Sequence, residues 1–344
     1  MTEGREIKIT GMKSILGIGN ALTDILAILP DDSLLRKYHL PLGSMQHVDK
    51  ETGDLIWQDL KEIGVKYVPG GSAANTITCC AIFGMRSGYI GKIGNDELGN
   101  LFKSTMEQFG VKTTRLYDAK GSGRCMVFIT GANAERTFAG YLGAALEMGP
   151  DDLKPEYFQG YDYFHIEGYL VQNQELIARA VQMAKAAGCI ISIDMASYNV
   201  VESNCAFLHN LVEKYVDIVF ANESESKAFT KLDDPREALA ELSSICKIAV
   251  VKVGKDGSWA RSGEQEFFIP AWPAVPVDGT GAGDTYAAGF LYAHSLGLPL
   301  KECAEVGSII AAKVVEVVGT KIDIPRWRVA KEEIKQLIEK SKGC

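Results

Sequence analysis

Five short β-branched runs, at Ile15–Ile18, Tyr163–Ile166, Cys189–Ile193, Ile218–Phe220 and Ile248–Val253, recur along this 344-residue chain with helical patterns between them. Runs of this kind bury both faces when helices cover a mainly parallel sheet on two sides, so the expected class is α/β. After the second run, Leu176, Ile177, Ala180, Val181 and Ala184 fall at helical spacing over 174–187, and Gly188 is a natural stop. Trp259–Arg261 and Gln265–Ile269 flank Ser262 and Gly263, which predicts a hairpin. Helices are predicted over 284–296, 301–318 and 331–342. Two stretches break the rhythm, 26–48 and 112–141, each rich in loops and short extended pieces. Both follow chain placed at the carboxyl edge of the sheet, where ligands of open α/β folds bind, and together they predict a small lid. With no internal repeat and no Pro/Ser-rich linker, the expectation is a single domain over 1–344 carrying that lid.

Composition narrows the partners. A hydrophobic content of 47% suits a deep core, and a net charge of −8 argues against a broad nucleic-acid footprint or an anionic membrane surface. Eight scattered cysteines without CxxC spacing read as free thiols in a reducing compartment. Five dispersed histidines lack HxH or HExxH spacing, so no zinc site is expected. The longest membrane candidate, Ile309–Val318, is broken by Lys313 and Glu316. A cytoplasmic protein acting on small molecules is the expectation.

The segment Asp278-Gly-Thr-Gly-Ala-Gly-Asp284, followed by an apolar run from Thr285, carries the chemistry. Its glycines let a ligand approach the main chain. The N–H groups of Gly281, Ala282 and Gly283 would face outward at a helix start, where an anion is favoured. Asp284 in that positive field can accept a proton from a hydroxyl. Donors for phosphoryl charge and a base for an alcohol are what phosphoryl transfer requires. The plain alternative is a glycine turn capped by an aspartate.

Five further clusters join it. Asn20 and Asp24, after the first strand, suit vicinal hydroxyls or an Asx-type turn. Pro69-Gly70-Gly71-Ser72-Ala73-Ala74-Asn75 runs into an apolar helix and offers either close backbone approach or a cap. Arg136 could close over a phosphoryl group or simply face solvent. Asn222 to Glu225 follows a strand and fits either magnesium, usually through water, or helix capping. Lys252, Gly254, Lys255 and Gly257 form a strand end and turn able to lie along a polyphosphate. The glycine-rich stretch 91–99 reads as a tight structural turn into a helix over 97–109.

In this order the segments resemble the ribokinase-like (PfkB) family of carbohydrate and nucleoside kinases, from Ile15 to Pro325. The resemblance implies a three-layer fold, a central mainly parallel sheet flanked by helices, with a small β-rich lid. It implies Asp284 as catalytic base, Gly281, Ala282 and Gly283 as anion hole, and Arg136 at the transferring phosphate. Asn20, Asp24, Gly70, Gly71 and Asn75 would hold the acceptor's hydroxyls. Asn222, Glu225, Lys252, Gly254, Gly257 and Thr280 would bind ATP, with Glu225 reaching Mg2+ through water and Asp278 near a K+ site. Gly279 departs from the family's Thr or Ser, which bears on that K+ site, and Lys252 replaces a frequent Thr. Within the family, Gly19-Asn20 to Asp24, Gly70-Gly71 to Asn75 and Ile129–Thr137 are most similar to adenosine kinases. That likeness implies phosphorylation of adenosine to AMP by a monomer or homodimer. Ribokinase, another sugar kinase and an inosine/guanosine kinase are the alternatives.

Overall fold

In β1 (Ser14–Ile18), Ile15 turns toward one helical layer while Leu16 and Ile18 turn toward the other, all of them buried. The same two-sided burial runs through β9 (Tyr163–Glu167), β10 (Ile190–Asp194), β11 (Ile218–Asn222) and β12 (Ile248–Lys252). The protein's structure is a computed structural model describing residues 13–130 and 135–342. Residues 131–134, within the Ile129–Thr137 stretch noted above, lie outside it.

These strands join β5 (Arg86–Gly94), β6 (Val111–Asp118) and the antiparallel hairpin β13 (Gly257–Ser262) and β14 (Gln265–Pro270) in one nine-stranded sheet. Its order is β14-β13-β12-β11-β10-β9-β1-β5-β6, and all pairings from β12 to β6 are parallel. One face packs on α3 (Ser72–Ile82), α4 (Glu97–Gln108), α10 (Ala282–Ser295), α11 (Leu300–Val314) and α12 (Ile324–Lys342). The other carries α5 (Gln174–Ala186), α6 (Tyr198–Ser203), α7 (Cys205–Tyr215), α8 (Glu223–Thr230) and α9 (Pro235–Ile245). No helix among the described residues is long and apolar enough to cross a membrane.

A second sheet, in order β3-β8-β7-β2-β4, is built from β2 (Leu22–Ile28), β3 (Met45–His47), β4 (Lys66–Gly70), β7 (Gly123–Thr130) and β8 (Glu135–Tyr141). Ile25, Ala27, Met126 and Phe128 bury one of its faces under α1 (Ser33–Lys37) and α2 (Lys50–Ile63). The bounds differ from the segments 26–48 and 112–141. β6 belongs to the large sheet, paired with β5 over eight residues, whereas β2 starts at Leu22 and β4 lies outside both segments. The 91–99 stretch differs too: β5 continues through Gly94, and only Asp96 begins the turn, capping α4 by accepting from Gly99 N at 2.8 Å. The last helix starts at Ile324, seven residues ahead of Lys331, because Asp323 accepts from Arg326 N at 2.9 Å and supplies an N-cap.

The chain crosses between the sheets four times, after β1, β4, β6 and β8. The first two crossings carry Asn20 and Gly71, so the junction of the sheets is where the polar motifs meet.

Candidate active site

Five neighbouring parallel strands each end in a polar residue on one edge. Taken along the sheet these are Lys252 on β12, Asn222 on β11, Asp194 on β10, Glu167 on β9 and Asn20 just past β1. The N-termini of α3 and α10 converge on the same edge, each preceded by a glycine in the left-handed region, Gly71 at φ 99 and Gly281 at φ 77. A Cβ on Gly71 would stand 2.3 Å from the Asn20 carbonyl oxygen, so no other residue fits there without moving the chain.

Asp284, in the first turn of α10, bridges these two helix ends. Ser72 Oγ donates to its Oδ1 at 2.7 Å, and Asn75 Nδ2 donates to its Oδ2 at 2.8 Å. Burial pushes the carboxyl up to about 6; the bonds from Asn75 and Ser72 and the Lys252 charge pull against it, and Asp194 adds to the rise. Such a group is ionised at neutral pH yet basic enough to take a proton. Of the three amides expected to face outward, Ala282 N is engaged, donating to Gly279 O at 3.2 Å in a turn. Gly281 N and Gly283 N have no acceptor among the described residues. Asn75, expected from sequence to hold the acceptor, also orients Asp284 through one Nδ2–H bond.

On the acceptor side, Asn20 donates from Nδ2 (2.8 Å) and N (3.3 Å) to Glu167 Oε1, and Ala73 N donates to Oε2 at 3.1 Å. Glu167 is 1% exposed, and burial pushes it up to about 7 against those three bonds. It thereby ties the end of β1 to the start of α3. Asp24 extends from β2 into space left by Gly70, where a Cβ would lie 2.3 Å from its Oδ1. Burial first and Asp284 second raise Asp24 to about 7, with Arg136 opposing.

Beside these residues opens a cleft of about 770 Å³ between the sheets, lined by Asn20, His47, Tyr141, Met148 and Tyr169 among others. Met126 and Phe128 lie away from it, in the core under α1 and α2.

On the nucleotide side, Asn222 and Glu225 form a complete capping box. Asn222 Oδ1 accepts from Glu225 N at 2.9 Å, while Asn222 N and Nδ2 each donate to Glu225 at 2.7 Å. Burial, then Asp194, raises Glu225 to about 7. Each of its oxygens accepts one bond and keeps a lone pair, so a water-bridged Mg2+ fits with the cap intact. No cluster of three metal-ligating side chains occurs among the described residues. Gly254, at φ 55, leaves open space next to the strand end. Gly257 serves the hairpin, since a Cβ there would sit 2.0 Å from Ile269 O.

Asp278 is saturated. Its Oδ1 accepts from Thr280 N (3.0 Å) and Thr280 Oγ1 (2.8 Å), and its Oδ2 accepts from Gly319 N (2.7 Å) and pairs with Arg136 Nη2 (2.6 Å). A guanidinium therefore pairs with the carboxylate expected beside K+. Arg136 Nη1 also donates to Thr280 Oγ1 at 2.9 Å, so Thr280 links Arg136 to Asp278.

Sequence reasoning missed Glu167, Asp194 and Ser72. The signal was present for the two acids: each ends an apolar strand one residue past the last β-branched position.

A base held beside a glycine-lined helix start, at the ligand edge of a parallel sheet, is the equipment of a phosphotransferase. The chain belongs to the pfkB family of carbohydrate kinases, whose family model matches residues 48–327. Kinases of this family use ATP, typically with Mg2+. The fold is ribokinase-like. It superposes with a TM-score of 0.83 on the adenosine kinase of Sinorhizobium meliloti, at 31% identity over 94% of this chain and 99% of that one. A probable sugar kinase from Rhizobium etli CFN 42 gives the same TM-score of 0.83 at 29% identity, with coverage of 94% and 99%. The 5-dehydro-2-deoxygluconokinase of Geobacillus thermodenitrificans is 27% identical over 295 residues, 81% of this chain and 86% of the relative. The molecule is thus a sugar or nucleoside kinase.

Proposed function

We propose that this kinase transfers the γ-phosphoryl group of ATP to the 5′-hydroxyl of a nucleoside, converting adenosine to AMP. The observation that carries the chemistry is the Asp284 carboxylate, aimed by Ser72 and Asn75 beside the Gly281–Gly283 turn. Asp284 takes the hydroxyl proton as that oxygen bonds to phosphorus and the bond to the ADP oxygen breaks. The Gly281 and Gly283 N–H groups face the charge that gathers on the transferring oxygens. Asn20, Asp24 and the Gly70–Gly71 backbone hold the ribose, and the small sheet acts as a lid that keeps water from taking the phosphoryl group. Arg136 reaches the outer phosphates by leaving Asp278. Asn222, Glu225, Lys252 and the Gly254 turn receive ATP, and Mg2+ held through water at Glu225 would neutralise phosphate charge.

The nucleoside assignment is supported by the 31% identity to an adenosine kinase and by the cleft beyond Asn20, whose walls include His47, Tyr141 and Tyr169. Aromatic walls suit a flat base. The second reading is a kinase of sugars, favoured by the 27% match to a 5-dehydro-2-deoxygluconokinase and by Lys50 and Lys120 on the cleft wall, which could meet a sugar acid. An ADP-release screen over adenosine, inosine, guanosine, ribose, fructose and 5-dehydro-2-deoxygluconate decides between them. Adenosine is expected to give the highest kcat/KM, and preference for any free sugar or sugar acid overturns the nucleoside assignment.

A further inference from the structure

Lys252 places a buried cation at the end of β12, beside the N-terminus of α10. Its ammonium lies 3.1 Å from the point where a Cβ on Gly283 would stand, beneath the first turn of α10. A helix N-terminus is partially positive and repels a cation, and burial adds a desolvation cost. Asp194 offsets both, accepting from Lys252 Nζ at 2.7 Å with the two side chains 8% and 15% exposed. The ion pair reaches across β11, from the end of β12 to the end of β10. Asp194 is itself pinned: its other oxygen accepts from Ala196 N at 3.1 Å, and Ala196 holds φ 67, a conformation costly for a residue with a side chain. Glu225 of α8, Asp284 of α10 and His165 of β9 are the other titratable groups facing the ammonium. These carboxylates hold the ammonium charged against burial, and its place beside the α10 turn would let an arriving anion meet the ammonium and the α10 amides together.

We infer that Asp194 is a positioning residue for phosphoryl transfer, holding the Lys252 ammonium under the α10 turn so that a phosphoryl oxygen meets amides and a fixed cation together. This rests on the kinase reading above. Preorganised charge of this kind needs no rearrangement at the moment of reaction. Neither Asp194 nor Lys252 hydrogen-bonds to Asn20, Asp24 or Glu167, so acceptor KM is expected to change least.

The test is a double-mutant cycle on the full chain, with ATP and the best acceptor of the screen. Asp194→Asn and Lys252→Met are each expected to lower kcat/KM for ATP about 30-fold while changing acceptor KM less than about threefold. The double variant is expected within about threefold of Lys252→Met, because a residue acting only through Lys252 has then nothing to position. Losses that multiply, or an Asp194→Asn enzyme that keeps wild-type kcat/KM for ATP and loses only thermal stability, overturn the assignment. Should Asp194→Asn fail to fold, the double variant against Lys252→Met carries the same decision, a further loss of about tenfold being the adverse result. A wild-type protein that releases no ADP with any acceptor refutes the kinase reading. A wild type that turns over but gives a multiplicative cycle refutes the role of Asp194 alone.

Discussion

The two ends of the loop that opens α10 carry the same residue in opposite states. Asp278 accepts from Thr280 and Gly319 and pairs with Arg136, which uses up its oxygens and fixes the loop to the small sheet. Asp284, six residues on, has only the neutral donors Ser72 and Asn75, and burial raises it to about 6. A full cation partner would have depressed Asp284 and made it a poor base; neutral donors aim it while leaving it basic. Residue type and loop are thus shared but not helix position, since α10 begins at Ala282; on the proposed mechanism the partners decide which aspartate holds the loop and which takes the proton.

The sharpest way to break this comparison is Asp284→Asn, expected to lower kcat by at least about 100-fold with little change in ATP affinity. A folded variant with near-normal kcat in steady-state assays would remove Asp284 from the mechanism. Asp278→Asn is expected to show the reverse pattern. It strands Arg136, which keeps only Thr280, so urea unfolding should register a loss of about 2 kcal/mol while kcat falls less than about tenfold. A larger effect on kcat than on stability would show that the two ends are not divided as described.

The smallest effect concerns pH. The base must be ionised, so kcat/KM is expected to rise with pH through about 6, be full above it, and be lost as pH falls through that value. Ser72→Ala removes a donor that favours the ionised form. The acid limb should therefore move to higher pH, slowing the enzyme about fivefold at a pH of about 6 and hardly at all at 8. A limb that stays in place in a pH–rate profile would mean that Ser72 does not tune the base.

The glycine loop and the large sheet were legible because each leaves a local mark. β1, β9, β10, β11 and β12 are short, mostly apolar runs, interrupted only by single residues such as His165 and Ser192, and the turn before α10 needs its glycines. β5 was hidden by Gly88, Gly91 and Gly94, which suppress a strand signal yet make room for Tyr161, Ala21 and Ser122. β4 contains Pro69, tolerated there because β4 is an edge strand of the small sheet. Partnerships were the least legible: that Arg136 meets Asp278, or Lys252 meets Asp194, depends on sheet order, which no local pattern carries. Glu167 and Asp194 mark the boundary between the two kinds of information, since their places at strand ends are readable and their partners are not.

The four crossings between the sheets have a mechanical implication. Asp24 and Arg136 are mounted on the small sheet, while Asp284, Lys252 and the glycine turn are mounted on the large one. On the proposed mechanism, any tilt of one layer against the other would pull apart the groups that grip the guest and the groups that act on it. Assembly of the working geometry and enclosure of the guest would then be a single event, and a half-open molecule would be chemically idle.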